Sequence, residues 1–253
     1  MIAGFTDIHC HILPGLDDGA SDVTEAIRMM RIAMDDGIVS IVATPHIMDG
    51  EYENTKAGIE EAITLLQESV LRSGDVNAGD MPRLYIGGDV RISPDIIKMI
   101  EVGDIPTINN KGYLLIELPT FNIPPHTGEL IFNLRQKHII PIISHPERNL
   151  YILHRMEHLH SLVEYGALCQ VTAMSITGDF GRDIQRASIR MLKEGLVHFI
   201  ASDAHDSRKR PPVLSRAYME VSRLFDEDTA KRMLIENPKR VIDGEWLCAA
   251  YKK

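Results

Sequence analysis

The chain has 253 residues, which allows one large domain or two small ones. Apolar residues make up 44% and charged residues 25%, ordinary for a soluble globular fold, and a formal net charge of −9 argues against a nucleic-acid backbone binder. No apolar run approaches the roughly 20 residues of a membrane span, no secretion signal opens the sequence, and three cysteines lack paired spacing, so no membrane insertion and a cytoplasmic location are expected.

The chain opens on Asp7-Ile8-His9-Cys10-His11, two histidines one residue apart; residues 6–8 are too few to define a strand alone. Ser21-Asp22 followed by Glu25 has the spacing of a capping box, and Ile27, Met30, Ile32 and Met34 carry a helix to a stop at Gly37. Residues 38–43 are apolar apart from Ser40 and read as a strand buried on both faces, with His46 just beyond. A second helical pattern covers 53–73, and 74–82 is polar and turn-rich. Strand returns at 83–86 and is broken by Gly87-Gly88-Asp89. A short helix over 94–101 has proline at its start. Strand 112–117, helix 125–137 and strand 139–143 follow, then Ser144-His145-Pro146-Glu147-Arg148. Helix 156–165 closes at Gly166, strand 167–172 follows, and helix 179–194 closes at Gly195. Strand 196–201 ends in Ser202-Asp203-Ala204-His205, and helices over 212–225 and 228–236 finish the pattern, with Asn237-Pro238 as the expected stop.

Seven strands alternating with helices imply right-handed βαβ units and a parallel sheet. No linker or repeat divides the chain, so one domain is expected over 1–253. No Gly-x-Gly-x-x-Gly follows the first strand, which leaves a dinucleotide fold without support. Six of the seven strands carry a candidate ligand at the C-terminal end, as a closed barrel would arrange them, whereas an open sheet would gather them at one switch point. The expected fold is therefore α/β, a TIM-like barrel.

Taken singly, these residues have bland readings. His9 and His11 face one way on a strand and could share an ion, or could be a hydrogen-bonded pair under a loop. Asp17-Asp18-Gly19 is also a common turn. Glu117 ends a strand expected to be buried, where a carboxylate is costly unless paired or metal-bound. Together, His9, His11, His46, His145 and His205 with carboxylates at one barrel mouth are hard to explain as independent core residues. Nitrogen and oxygen donors without a cysteine tetrad suit catalytic Zn, Mn or Fe, and their number suits two or three ions, an arrangement used in phosphoryl hydrolysis. Arg148, and Arg208 or Arg210, lie just past ligand positions and offer guanidinium forks for phosphate, or are solvated surface charge.

At this point a resemblance is plain. His9-Cys-His11, Asp17-Asp18-Gly19, Thr44-Pro-His46, Gly88-Asp89-Val-Arg-Ile, Ile116-Glu117-Leu, Ser144-His145-Pro-Glu-Arg148, Ser202-Asp203-Ala-His205 and Arg210-Pro-Pro resemble the polymerase-and-histidinol-phosphatase (PHP) superfamily. They are most similar to its bacterial tyrosine-protein phosphatases of capsule and exopolysaccharide loci, the CpsB/YwqE-like family, from residue 7 to about 242. The resemblance implies a distorted (β/α)7 barrel and a trinuclear, usually manganese-dependent site, with Fe, Zn or Co as other candidates. Carried over, His9, His11 and Asp203 would hold one ion, and Asp89 would bridge it to a second completed by Glu117 and His145. Asp18, His46 and His205 would hold the third, and Arg148 and Arg210 match the phosphate-contacting arginines. The implied activity is hydrolysis of phosphotyrosine on a protein by a metal-bridging hydroxide, the implied substrate a membrane tyrosine kinase of polysaccharide export.

The family usually has Glu where this chain has Asp89, a side chain shorter by one carbon–carbon bond, roughly 1.5 Å. The expectation is that the site survives with altered affinity for one ion. Other readings on the same fold are a small-molecule phosphatase, such as one for histidinol phosphate, a phosphodiesterase, or a metal-binding regulator without catalysis. Asn54 has no role legible in the sequence, His145 and Asp206 are the candidates for a general acid, and Cys10 is expected to pack away from the ligands.

Overall fold

Local capping sets the first βα unit of the computed structural model, which describes residues 4–73 and 80–247. Strand β1 (Phe5–Cys10) leads to helix α1 (Val23–Asp36), where the Glu25 N–H donates to Asp22 Oδ1 at 2.9 Å. The reciprocal half of a capping box does not form. The Glu25 carboxylate instead accepts the Ser207 N–H at 2.7 Å, which ties α1 to the loop after the last strand. Gly37 ends α1 in the left-handed region at φ 90°, a conformation cheap only for glycine.

Two strands keep their expected bounds but each is followed by a further short strand. β2 (Ile38–Ala43) is interrupted at Thr44-Pro45 and resumes as β3 (His46–Ile47). After α2 (Lys56–Ser73), β4 (Arg83–Ile86) is interrupted at Gly87-Gly88 and resumes as β5 (Asp89–Arg91). His46 and Asp89 are therefore not past strand ends; they pair with each other across β3 and β5. A Cβ on Gly87 would come within 2.6 Å of Val42 Cγ1, so only glycine lets these two staves approach. The polar stretch expected at 74–82 lies outside the described residues as far as 79.

The remaining elements are α3 (Ile96–Glu101), β6 (Tyr113–Glu117), α4 (Thr127–Gln136), β7 (Ile140–Ser144), α5 (Leu150–His154), α6 (Glu157–Glu164) and β8 (Leu168–Thr172). They are followed by α7 (Ala173–Thr177), α8 (Arg182–Lys193), β9 (Phe199–Ala201), α9 (Ser215–Leu224), α10 (Glu227–Lys231) and α11 (Asn237–Asp243). All strand pairs are parallel, in the orders β1-β2-β4 and β3-β5-β6-β7-β8-β9. The ring closes between last and first staves, where Cys10 bridges Ala204, His11 N–H donates to Ala204 O at 2.9 Å and Asp203 N–H donates to His9 O at 2.8 Å. The barrel is distorted on the opposite side, where the 3-10 turn Ile108–Asn110 packs between β4 and β6.

The barrel interior is one apolar cluster with Ile8, Val42, Tyr113, Leu115, Ile142 and Phe199 among its members. Alternation along each strand places a polar residue directly above it: Glu117 above Leu115, Ser144 above Ile142, Gln170 above Leu168, Asp203 above Ala201. The base is sealed by Val241 and Ile242 of α11 with Leu247, whose N–H donates to the Tyr113 hydroxyl at 2.9 Å.

Three helix expectations need correction. Asn237-Pro238 does not stop the last helix; a π turn (Arg232–Glu236) leads into α11, where Pro238 occupies the first turn and has no intrahelical N–H bond to lose. The helix expected from 179 begins at Arg182, and the short helices α5 and α7 were not anticipated because five residues carry too little periodicity. No helix among the described residues is long and apolar enough to cross a membrane.

Candidate metal centre

An irregularity in β1 sets the first two ligand candidates. Asp7 and Cys10, three apart, pair with Ile41 and Ala43, two apart, so β1 absorbs one extra residue between them. Alternation breaks there: Ile8 packs in the interior cluster and the next residue, His9, also faces the site. Cys10 is buried in the outer cluster, away from the ligands as expected. His9 Nδ1 bonds Gln170 Oε1 at 2.8 Å and His11 Nδ1 bonds Asp17 Oδ2 at 2.7 Å, so both rings turn Nε2 toward the centre, 3.1 Å from each other. Each Nε2 is 3.5 Å from Asp203 Oδ1.

Asp89 lies at the middle. Its Oδ1 accepts the Ser144 hydroxyl at 2.9 Å. Its Oδ2 is ringed by His9 Nε2, His46 Nδ1 and His145 Nε2 at 3.6, 3.5 and 3.7 Å. These separations are too long for hydrogen bonds. Glu117 lies on the same side, Oε2 at 3.8 Å from His46 Nδ1 and Oε1 at 3.8 Å from His145 Nε2. On the outer rim, Asp18 Oδ1 is 3.6 Å from His46 Nε2 and 3.4 Å from His205 Nε2.

All nine ligand candidates thus converge, and their donor atoms fall into four groups that could each hold a cation: His9-His11-Asp203, His9-Asp89-His145, His46-Asp89-Glu117 and His11-Asp18-His46-His205. Two of the nine adopt a left-handed backbone unusual for non-glycine residues, His145 at φ 33° and Asp203 at φ 52°. That cost of about 1–3 kcal/mol each is typical of functional sites. A Cβ on Gly19 would lie 2.2 Å from His11 O, so the Asp-Asp-Gly turn must end in glycine for the Asp17–His11 bond to form.

Arg148 and Arg210 both reach Asp203 Oδ2, at 2.6 and 2.8 Å, and both guanidiniums flank the Phe180 ring at 5.7 and 5.8 Å. They wall a cavity of about 310 Å³ floored by His46, Glu117, His145 and His205. Arg208 is exposed and lies outside it. Asp206 turns away to accept the N–H groups of Arg208 and Lys209.

Several contributors escaped the sequence reading. Asp17 is not a ligand candidate but a clamp: besides His11 it accepts the His46 N–H at 2.8 Å and the Gly19 N–H at 2.9 Å. Asn54 donates to His46 O and Leu16 O, joining the two loops. Arg91 pairs with Glu117 at 3.0 Å. Tyr52 stacks on the His46 ring at 5.7 Å. Glu147, fully buried, accepts the Thr172 N–H and the Ser175 hydroxyl at 2.9 and 2.6 Å and anchors the turn between His145 and Arg148. Gln170 and Thr172 are what the sixth stave contributes in place of a ligand.

The cluster is electrostatically polarised without a cation. Burial alone would push the His11 imidazole down, but Asp17 and Asp203 outweigh it and push it up to about 10. Burial, reinforced by charged His11, pulls His46 down to about 4; burial and Arg148 pull His145 down to about 4. Despite burial, the His9 and His145 rings hold Asp89 low, and Arg148, His9 and Arg210 hold Asp203 well below the usual range. Burial and the Asp89 charge push Glu117 up to about 8. His46 Nδ1 and Asp89 Oδ2 are buried with no hydrogen-bond partner, and Glu117 Oε2 beside them has only the Arg91 guanidinium, at 3.0 Å. Stranded polar atoms of this kind are costly. Their convergence, in a nitrogen-and-carboxylate set without thiolate, fits hard or borderline divalent ions.

Comparison with known proteins agrees. The family model described as capsular polysaccharide synthesis, CpsB/CapC, matches residues 5–243. The chain is 41% identical over 212 residues to CapC of Staphylococcus aureus, covering 84% of this chain and 81% of that one. It is 36% identical over 239 residues to the tyrosine-protein phosphatase YwqE of Bacillus subtilis, covering 94% and 92%. A crystal structure from work on B. subtilis YwqE and Streptococcus pneumoniae CpsB, described as metal-dependent tyrosine phosphatases, superposes with a TM-score of 0.90 at 34% identity over 96% of both chains.

Proposed function

The chain belongs to the CpsB/CapC capsular polysaccharide synthesis family, and from that membership and the cluster's geometry we infer a metal-dependent protein-tyrosine phosphatase acting as one domain. The carrying observation is the convergence of His46, Asp89 and Glu117, with His46 Nδ1 and Asp89 Oδ2 buried and unpartnered, beneath a cavity walled by Arg148 and Arg210. His9, His11 and Asp203 would hold one divalent ion and Asp18, His46 and His205 another; Glu117 and His145, 3.8 Å apart, would hold a further one with Asp89, which lies 3.7 Å from His145. Manganese is the ion we propose. Bound there, divalent ions supply Lewis acidity and acidify water, which is the chemistry of phosphomonoester hydrolysis.

The protein's own groups do the rest. Asp17 and Gln170 fix the ring orientations of His11 and His9, so their Nε2 atoms stay aimed without reorganisation. Arg148 and Arg210 present guanidiniums to the equatorial oxygens of a bound phosphate, where charge must be balanced as the ester bond breaks. Phe180, flanked by both, offers an apolar surface beside the phosphate position that suits an aryl ester.

The substrate we propose is a phosphotyrosine-bearing protein, a membrane tyrosine kinase of polysaccharide export, met in the cytoplasm. The test is a panel of phosphotyrosine peptide, histidinol phosphate and a phosphodiester, each with Mn²⁺ and with chelator, beside the metal content of the purified protein. Turnover of the peptide alone, abolished by chelator, with two or three ions per chain, is the expected outcome. Fewer than two ions, or turnover of histidinol phosphate but not the peptide, overturns it.

A further inference from the structure

Beyond the metal cavity, across Phe180, a groove of about 810 Å³ runs along α8. Arg182, Arg186 and Arg190 line it at four-residue spacing, about 6 Å per step, which makes a cationic stripe about 12 Å long. Leu150 and Ile184 add apolar surface, and Leu150 is 42% exposed. The stripe stands out on a chain with a net charge of −9. Its carboxylate partners are weak competitors. Arg186 pairs with Asp183, which also lines the groove, Arg190 pairs with the partly exposed Glu194 at 2.6 Å, and Arg182 has no carboxylate partner among the described residues, so the three arginines outnumber the one lining carboxylate. Exposed pairs of this kind contribute about 0–1 kcal/mol, so an incoming anion can displace them.

We propose that this groove is a docking track for acidic residues flanking the phosphotyrosine of the substrate protein. The proposal rests on the phosphatase reading of the metal centre and adds what selects among phosphotyrosine sites. Phe180 connects the two: it lines the groove, and its ring lies 5.7 and 5.8 Å from the Arg148 and Arg210 guanidiniums that wall the cavity. A phosphotyrosine with its phosphate between the two arginines therefore leaves its neighbouring residues at the mouth of the stripe. An acidic segment is repelled over most of this surface and is held where the cations are concentrated. Anchoring outside the reacting centre improves KM and leaves the chemistry of the cavity alone.

The test uses the Mn²⁺-loaded full chain and three substrates: a phosphotyrosine peptide flanked by Asp and Glu, the same peptide flanked by Asn and Gln, and phenyl phosphate. The variant is the triple Arg182→Gln, Arg186→Gln, Arg190→Gln, which keeps good helix formers at exposed positions. The wild type should favour the acidic peptide through KM by about tenfold, the worth of a few exposed charge contacts, and this preference should fade at high salt. The triple variant should lose the preference while its turnover of the neutral peptide and phenyl phosphate stays unchanged; lysine at all three positions should restore most of it. Equal KM for both peptides in the wild type, or a preference that survives in the triple variant, overturns the track and leaves the phosphatase reading standing. Absence of turnover on either phosphotyrosine peptide by the wild type overturns both.

Discussion

The two ends of the barrel interior are built from the same strands by opposite rules. At the base, Tyr113, Leu115, Ile142, Leu168 and Phe199 pack an apolar cluster sealed by α11. Two residues beyond Leu115, Ile142, Leu168 and Ala201 stand Glu117, Ser144, Gln170 and Asp203, nearly all as buried as the residues beneath them. The base gains from removing apolar area from water, about 25 cal/mol per Å². The mouth holds desolvated carboxylates and imidazoles, two left-handed backbones and two stranded donor atoms, His46 Nδ1 and Asp89 Oδ2. One end therefore supplies stability, and the other spends it on holding groups in an arrangement that only a bound ligand satisfies.

The contrast can be broken most sharply at His145. His145→Ala should lower kcat/KM on a phosphotyrosine peptide about a thousandfold, while the melting temperature of the metal-free protein stays within a few degrees of wild type. A loss of folding comparable to a core truncation would contradict the division. Leu115→Ala should do the reverse: denaturant unfolding should show a loss of about 3 kcal/mol, with kcat of the folded fraction retained.

Asp17→Asn tests the boundary between the two regimes. It keeps the shape of the clamp on His11 but removes the charge, and titration with Mn²⁺ should show affinity weakened about ten- to a hundredfold, with kcat recovering at saturating metal. The smallest effect lies at the base. Burial pulls His198 down to about 4, while its Nδ1 accepts the Cys169 N–H. A depressed imidazole favours the neutral form in the folded state, so its contribution is intact above the ordinary value of 6.5 and is lost as pH falls from 6.5 toward 4. After allowance for partial exposure this is about 2 kcal/mol. The drop in unfolding free energy between pH 7 and pH 4.5 should be smaller by that amount in His198→Gln.

The fold and eight of the nine converging residues were legible because both signals are local; Asp18, in a turn, was singled out only by the family resemblance. A buried parallel strand is a short apolar run, and the residue that follows it is at the barrel mouth. Asp17, Gln170 and Phe180 gave no such signal. Asp17 looks like half of a turn, Gln170 is one polar residue within an apolar strand, and Phe180 sits in a loop; their roles come from partners on distant staves. The same limit hid the resumption of pairing at His46 and Asp89. Pro45 and the glycine pair mark the breaks, but the pairing that follows depends on the opposite stave. At Asp89 the shorter carboxylate faces three imidazoles at 3.5–3.7 Å, so the barrel brings its backbone close enough for aspartate to stand at the centre.

The seam between β9 and β1 has a kinetic consequence. Its bonds, His11 to Ala204, Asp203 to His9 and Ser202 to Asp7, are made by the ligand candidates and their immediate neighbours, and Ser202 and Asp7 are separated by 195 positions in sequence. Contacts this distant form late, after the intervening chain has given up its freedom. The cluster cannot exist in part of the chain: a nascent polypeptide, or one truncated before residue 203, presents scattered histidines and no assembled set. The full set of nine candidates is therefore assembled only once both ends of the polypeptide have met.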